Sequence, residues 1–170
     1  MLAIDGRAGS GKSSLAAEVG AVLGGASAAP IVAMDHLYEG WSGLAAAVPR
    51  LVDQVLVPLA QGRDALAPRW DWVADEWGSP VRVPMTDLLI VEGCGSSVWP
   101  ASDHAAVMVW LEVPEGVRRE RALARDGASF APFWAQWADQ EDALYASDRP
   151  RERADLVLDQ HGQVRAEVAR

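Results

Sequence analysis

Residues 6–13 read Gly6-Arg7-Ala8-Gly9-Ser10-Gly11-Lys12-Ser13, followed by Ser14. This is the G-x-x-x-x-G-K-[ST] spacing of a phosphate-binding loop, the Walker A pattern. It constrains the fold more than any other feature, because such a loop works only between a buried strand and the start of a helix. Leu2-Ala3-Ile4 supplies the short apolar run of a buried parallel strand, although it begins abruptly beside Met1. Leu15, Val19, Val22 and Leu23 then follow at helical spacing, with Gly24-Gly25 as the expected stop. Lys12 is the only lysine; the rest of the fifteen Lys and Arg residues are arginine. The exception falls where a compact ammonium must thread a tight loop, which a planar guanidinium cannot do. Loop amides at Gly6, Ala8, Gly9, Ser10, Gly11, Lys12, Ser13 and Ser14 are the expected phosphate cradle, aided by the helix N-terminus. The Ser13 hydroxyl is expected to meet Mg²⁺.

With 170 residues, half of them apolar, the chain is expected to form one domain over 1–170. A formal charge of −9 disfavours a nucleic-acid-coating surface, so any anion site must be built locally. No apolar run is long enough to span a bilayer, and no signal-peptide pattern precedes the first strand. Cys94 is the sole cysteine, which excludes an internal disulfide and suits a reducing, cytoplasmic compartment. A monomer or homodimer is expected, with no nucleic acid or membrane partner. Eight tryptophans are many for this length, and some are candidates to line a pocket.

Strand patterns recur at residues 30–34, 88–91, 107–111 and 156–158. Helical patterns lie between them, at residues 44–60, 115–125 and 132–145. Pro49 is expected to split or kink the first of these. Residues 65–84 read as a small β-hairpin insertion, with its turn at Gly78-Ser79-Pro80 and Trp70 and Trp72 sharing one face. Alternating strands and helices predict an α/β fold with a parallel sheet and right-handed crossovers. Ligands in such sheets bind beyond the strand carboxyl ends, where Asp35 and Glu92 stand.

Taken together, Gly6–Ser13, Asp35-His36-Leu37-Tyr38, Trp70-Asp71-Trp72, Ile90-Val91-Glu92-Gly93 and Ala154-Asp155-Leu156-Val157 resemble the uridine kinase-like branch of the P-loop small-molecule kinases. The resemblance implies a three-layer fold: five parallel strands with helices on both faces, the hairpin insertion and a helical lid over about 118–148. It implies ATP and Mg²⁺ as cofactors and a hydroxylated small molecule, a nucleoside among the candidates, as phosphate acceptor. Residues 65–84 are shorter and richer in tryptophan than the nucleoside pocket of uridine kinases. Gly127-Ala128-Ser129-Phe130 stands where their lid carries further arginines. The implied phosphotransfer machinery therefore carries over, and the acceptor stays open.

On this reading Asp35 is the expected general base, because a carboxylate beside the metal can orient and deprotonate the acceptor hydroxyl. Its alternative is a turn or helix cap. Glu92, in a Walker-B-like place, is expected to hold Mg²⁺ with Ser13 and Asp35, or to help orient the acceptor; the alternative is a buried structural carboxylate. Tyr38, Trp41 and Asp71 are candidate acceptor contacts; Asp71 is equally readable as a surface charge paired with Arg69 or Arg82. Arg118, Arg121 and Arg125 form one helical stripe. Of these, Arg121 and Arg125 are the expected phosphate clamp, against the alternative of a solvated charged face. Trp134, Trp137, Glu141, Leu144 and Tyr145 share a helical face, readable as core or as a wall over the acceptor. His36, His104 and His161 have no metal-ligand spacing. Cys94 reads as a strand-end residue and not as a nucleophile.

The expected activity is Lys12-dependent phosphoryl transfer from ATP to an alcohol. A nucleoside monophosphate kinase is a second reading, which would require a further cationic site from Arg50, Arg63, Arg69 or Arg82. A nucleotide-binding regulatory protein with little or no turnover is a third.

Overall fold

The computed structural model describes residues 1–24 and 29–167, so Gly25 of the expected helix stop lies outside the described residues. Strand β1 (Leu2–Gly6) runs into the glycine-rich loop, and helix α1 (Lys12–Val22) leaves it, as the motif requires. β2 (Ile31–Ala33) is followed by a 3-10 turn over Met34–His36. A second turn, Gly40–Ser42, precedes α2 (Leu44–Leu51). The helix continues through Pro49, and its irregularity comes later, as a π segment at Val52–Leu56 before α3 (Val57–Ala60). The expected break at Pro49 is thus corrected: Leu44, Val48, Leu51 and Val55 bury one continuous apolar face, and that packing outweighs the lost backbone bond.

The insertion is a nested pair of hairpins. β3 (Ala65–Ala67) pairs with β6 (Val81–Val83), and inside them β4 (Trp70–Asp71) pairs with β5 (Glu76–Trp77). The tip falls at residues 72–75, not at Gly78-Ser79-Pro80. Asp71 Oδ1 accepts the N–H groups of Val73 and Ala74 at 2.9 and 3.0 Å, an Asx turn that closes the inner hairpin. Trp70 packs edge-on against Trp77, whereas Trp72 turns away into the tip, so the two indoles do not share a face.

β7 (Ile90–Glu92) and β8 (Val107–Leu111) flank β1, and β9 (Leu156–Leu158) follows α4 (Glu115–Asp126), α5 (Trp134–Asp148) and α6 (Pro150–Arg153). The last strand is β10 (Val164–Glu167). The sheet order is β10-β9-β8-β1-β7-β2. The five strands β9-β8-β1-β7-β2 are parallel, as expected, and a sixth strand, β10, antiparallel against β9, corrects the count. Registers such as Ile4↔Glu92 and Ala33↔Glu92 align the carboxyl ends of β1, β2 and β7.

Alternation along the strands divides the core between two faces. Ile4, Ile90 and Val109 meet Ala16, Leu15 and Val19 of α1. Val32, Val91, Trp110 and Val157 meet the apolar faces of α2 and α5. These layers place β1 at the point where chain connections diverge to either side, which is where α/β sheets open a ligand crevice.

Candidate active site

A cavity of about 840 Å³ opens at the carboxyl ends of β1, β2 and β7. Its floor is the loop from β1 to α1, contributing Ala8, Gly9, Gly11, Lys12, Ser13 and Ser14. Gly9 has φ of 78°, and a Cβ there would lie 2.1 Å from the Arg118 carbonyl oxygen, so only glycine fits. Gly6 and Ser10 do not line the cavity; they shape the loop from behind, with the Ser10 N–H donating to the Arg7 carbonyl at 3.2 Å.

The Lys12 ammonium is 7% exposed and donates to the Arg7 carbonyl at 3.0 Å and to Cys94 Sγ at 3.6 Å. Burial by itself favours the neutral amine. The Cys94 sulfur and the Glu141, Glu92 and Asp5 carboxylates outweigh it, so the pKa lies above its ordinary value and the charge is retained. The Cys94 thiol is buried, its pKa pushed far up by desolvation, and it donates to Glu141 Oε1 at 3.2 Å. It is an inert part of the loop's support.

The Ser13 hydroxyl donates to Glu92 Oε1 at 3.1 Å. Glu92 is 5% exposed; burial, and then the charge of Asp35, push its pKa above the ordinary 4.5, against the pull of Lys12, Ser13 and Arg125. Gly93, next in the chain, lets the end of β7 pass the turn after β2: at φ of 132°, its Cβ would lie 2.4 Å from that of Met34. Asp35 is exposed to the cavity from the turn after β2. Ser13, Asp35 and Glu92 thus offer hydroxyl and carboxylate oxygens, the hard donors that suit magnesium. They fall short of a closed cage, which agrees with a cation that takes one or two carboxylates and completes its shell with phosphate oxygens and water.

Arg121 and Arg125 reach the cavity from α4. Arg121 donates to the Gln160 carbonyl at 3.5 Å, and Arg125 grips Asp126 through Nε and Nη2 at 2.8 and 2.6 Å. Arg118 leaves the stripe. It is buried, donates to the Val113 and Ala8 carbonyls at 3.0 and 3.2 Å and lies over Trp134, so it braces the loop from outside.

The other half of the cavity is aromatic. Trp41 is stacked on Phe133 and Phe130, with centroids 4.7 and 5.1 Å away, and tilted against Trp72 at 4.8 Å. Trp137 meets Trp41 and Tyr38 edge-on, and the Tyr38 hydroxyl donates to the Cys94 carbonyl at 2.9 Å. The Trp72 indole donates to the Asp35 carbonyl at 3.0 Å, fixing the hairpin tip beside the carboxylate. Asp71, whose Oδ1 closes its own turn, does not line the cavity, so the structure does not bring it together with the other expected acceptor contacts.

Two residues hold these halves together: Asp5, to which the sequence assigned no role, and Glu141, read there only as part of a helical face of core or wall residues. Asp5 is fully buried and accepts from Gly6 N–H, Gly95 N–H, both groups of Ser97 and the Tyr145 hydroxyl, at 2.7–3.1 Å. Glu141, 1% exposed, accepts at Oε1 from Ala8 N–H at 2.6 Å, Trp137 Nε1 at 3.1 Å and the Cys94 thiol. A carboxylate closing an apolar strand, and another on an otherwise apolar helix face, were the signals for them.

No protein-family model matches the sequence, and no curated protein does. Solved structures do. A possible uridine kinase from Bacillus stearothermophilus superposes with a TM-score of 0.66 at 22% identity, covering 92% of this chain and 86% of its own. D-glycerate 3-kinase from Cryptococcus neoformans var. grubii superposes with a TM-score of 0.54 at 12% identity, covering 98% and 88%. The chain has the three-layer fold of the P-loop small-molecule kinases.

Proposed function

We propose that this protein transfers the γ-phosphoryl group of ATP to a hydroxyl of a small metabolite. One observation carries the reading: a single cavity joins Lys12 and Ser13 of the phosphate loop, the paired carboxylates Asp35 and Glu92, and the lid arginines Arg121 and Arg125. Lys12 and the amides at the start of α1 hold the β- and γ-phosphates. Ser13, Glu92 and Asp35 are the residues that would hold Mg²⁺, which would supply neutralisation of phosphate charge there. Asp35 orients the acceptor hydroxyl and takes its proton. The hydroxyl oxygen forms the new bond to the γ-phosphorus, while the bond to the bridging oxygen breaks and leaves with ADP. Arg121 and Arg125 offset charge on the transferring group; for Arg125 this requires loosening its grip on Asp126.

The monophosphate-kinase reading loses support at its cationic site. Arg50 is spent on the Leu37 carbonyl, Glu39 and the face of Trp77, and Arg82 on Asp64. Neither lines the cavity, nor do Arg63 and Arg69. The test is ADP release in the presence of an acceptor panel, with Lys12→Ala as control. Acceptor-stimulated release that Lys12→Ala abolishes supports the kinase; acceptor-independent slow hydrolysis across the panel supports a regulatory nucleotide-binding protein instead.

A further inference from the structure

The side chain that links the phosphate loop to the aromatic wall does not itself line the cavity. Glu141 stands behind it on α5, 1% exposed, and its Oε1 accepts from three separate parts of the site. The Ala8 N–H comes from the loop at 2.6 Å, the Cys94 thiol from beyond β7 at 3.2 Å and the Trp137 indole from the wall at 3.1 Å. Oε2 lies 3.7 Å from the Arg7 guanidinium, which pairs more closely with the exposed Asp142, at 2.6 Å.

The contact with Ala8 bears on the nucleotide. The N–H groups of Gly6 and Ala8, expected in the phosphate cradle, are bound instead to Asp5 at 2.7 Å and to Glu141. The cradle therefore falls to the amides after Ala8, whose direction the peptide groups of Ala8 set. Those groups are held from both sides: Glu141 takes the N–H, and Arg118 Nη1 of α4 donates to the carbonyl at 3.2 Å. Both are buried charges, and a hydrogen bond with an ionised partner is about twice as strong as a neutral one. Helix α5 extends the constraint to the wall. Trp137 meets Tyr38 and Trp41 edge-on, and Gln140 and Gln136 donate to the Trp41 carbonyl and the Ser42 hydroxyl at 2.7 and 2.9 Å.

We propose that Glu141 is a positioning residue for the phosphoryl transfer: through Oε1 it holds the loop in the shape that accepts a nucleotide and ties that shape to the ring of Trp137 in the acceptor wall. The inference rests on the kinase reading above. Its role differs in sign from that of a nearby charge alone. A carboxylate behind the loop repels a triphosphate, so removing a mere charge would tighten nucleotide binding. Removing a positioning residue loosens it, because amides that no longer converge lose their preorganised hold on the phosphates.

The test is titration of the full chain with a fluorescent N-methylanthraniloyl ATP analogue in the presence of Mg²⁺. The titration endpoint counts the folded fraction, so Kd is read separately from any loss of stability. Glu141→Gln, which keeps the shape and removes the charge, is expected to raise Kd by about tenfold. Glu141→Asp, which keeps the charge and draws the oxygen back from Ala8 by one methylene, is expected to raise Kd as well. Tryptophan emission is then followed on addition of an unlabelled, non-hydrolysable ATP analogue. The wild-type change is expected to be lost in Trp137→Phe and diminished in Glu141→Gln. Unchanged or tighter binding in either Glu141 variant overturns the positioning role. An emission change that Trp137→Phe retains in full, or that the wild type lacks, overturns the tie to the wall. If the wild type does not bind the analogue, or Lys12→Ala binds it equally well, the kinase reading itself fails. Lys12-dependent binding that Glu141→Gln leaves intact removes only this inference.

Discussion

The two halves of the cavity are built in opposite ways. The phosphate half is contiguous: Ala8 to Ser14 supply the loop amides, the ammonium and the hydroxyl within one turn and the start of one helix. The aromatic half is assembled from four separate segments, around residues 38–41, at the hairpin tip, at residues 130–133 and on α5. The first is fixed by backbone geometry that few sequences can adopt. The second is fixed by packing that many apolar side chains could satisfy. The phosphate half should accordingly tolerate almost no substitution, and the aromatic half should trade specificity more readily than it loses the fold.

The largest expected effect tests the contiguous half. Lys12→Ala should lower kcat/KM by more than about 10³-fold, because no other cationic side chain of that loop lines the cavity. Retained turnover in a steady-state assay would erase the contrast. Next, Asp35→Asn should lower kcat by about 10²- to 10⁴-fold with a smaller change in KM, the pattern of a lost general base.

Glu141 joins the halves, so it should report on both. Glu141→Leu should destabilise by about 3–5 kcal/mol in urea unfolding, because it removes the counter-charge near Lys12 and leaves three donors, two of them buried, without this acceptor. Glu141→Gln, which keeps an acceptor oxygen, should cost less, about 1–3 kcal/mol. Equal losses would mean that shape, not hydrogen bonding, couples the halves.

The smallest effect belongs to the hairpin tip. The N–H groups of Ala74 and then Val73 hold the Asp71 pKa below its ordinary 3.8. Its stabilising contribution is therefore present above that value and lost as pH falls through the lower folded-state pKa. Trp72 emission should change over that acid range, and Asp71→Ala should show the acid-like emission already at neutral pH. An acid transition that persists in Asp71→Ala would detach the tip from this carboxylate.

Legibility followed the same division. Gly6–Ser13 was readable because its chemistry demands fixed residue types at fixed spacing. The five parallel strands were readable from short apolar runs. β10 was not, since Val164, Arg165 and Ala166 are exposed and the segment carries no apolar run. Asp35 and Glu92 could be placed at strand ends, but their shared cavity with Ser13 came only from the register of β2, β7 and β1. Asp71 looked like an acceptor contact between two tryptophans; its turn became visible only once the hairpin tip moved to residues 72–75. Phe130 and Phe133 gave no motif, and Trp72, although part of Trp70-Asp71-Trp72, was not read as a cavity residue, because an aromatic wall depends on which rings meet and not on their spacing.

By itself, the sequence determined a strand, a glycine loop and a helix that can seat a phosphate chain, since local backbone freedom and one ammonium suffice for that. The tertiary structure decided what faces the phosphates: which carboxylates are buried, which arginines are already paired, and which rings enclose the remaining space. Those outcomes depend on long-range packing and desolvation, which no run of neighbouring residues encodes.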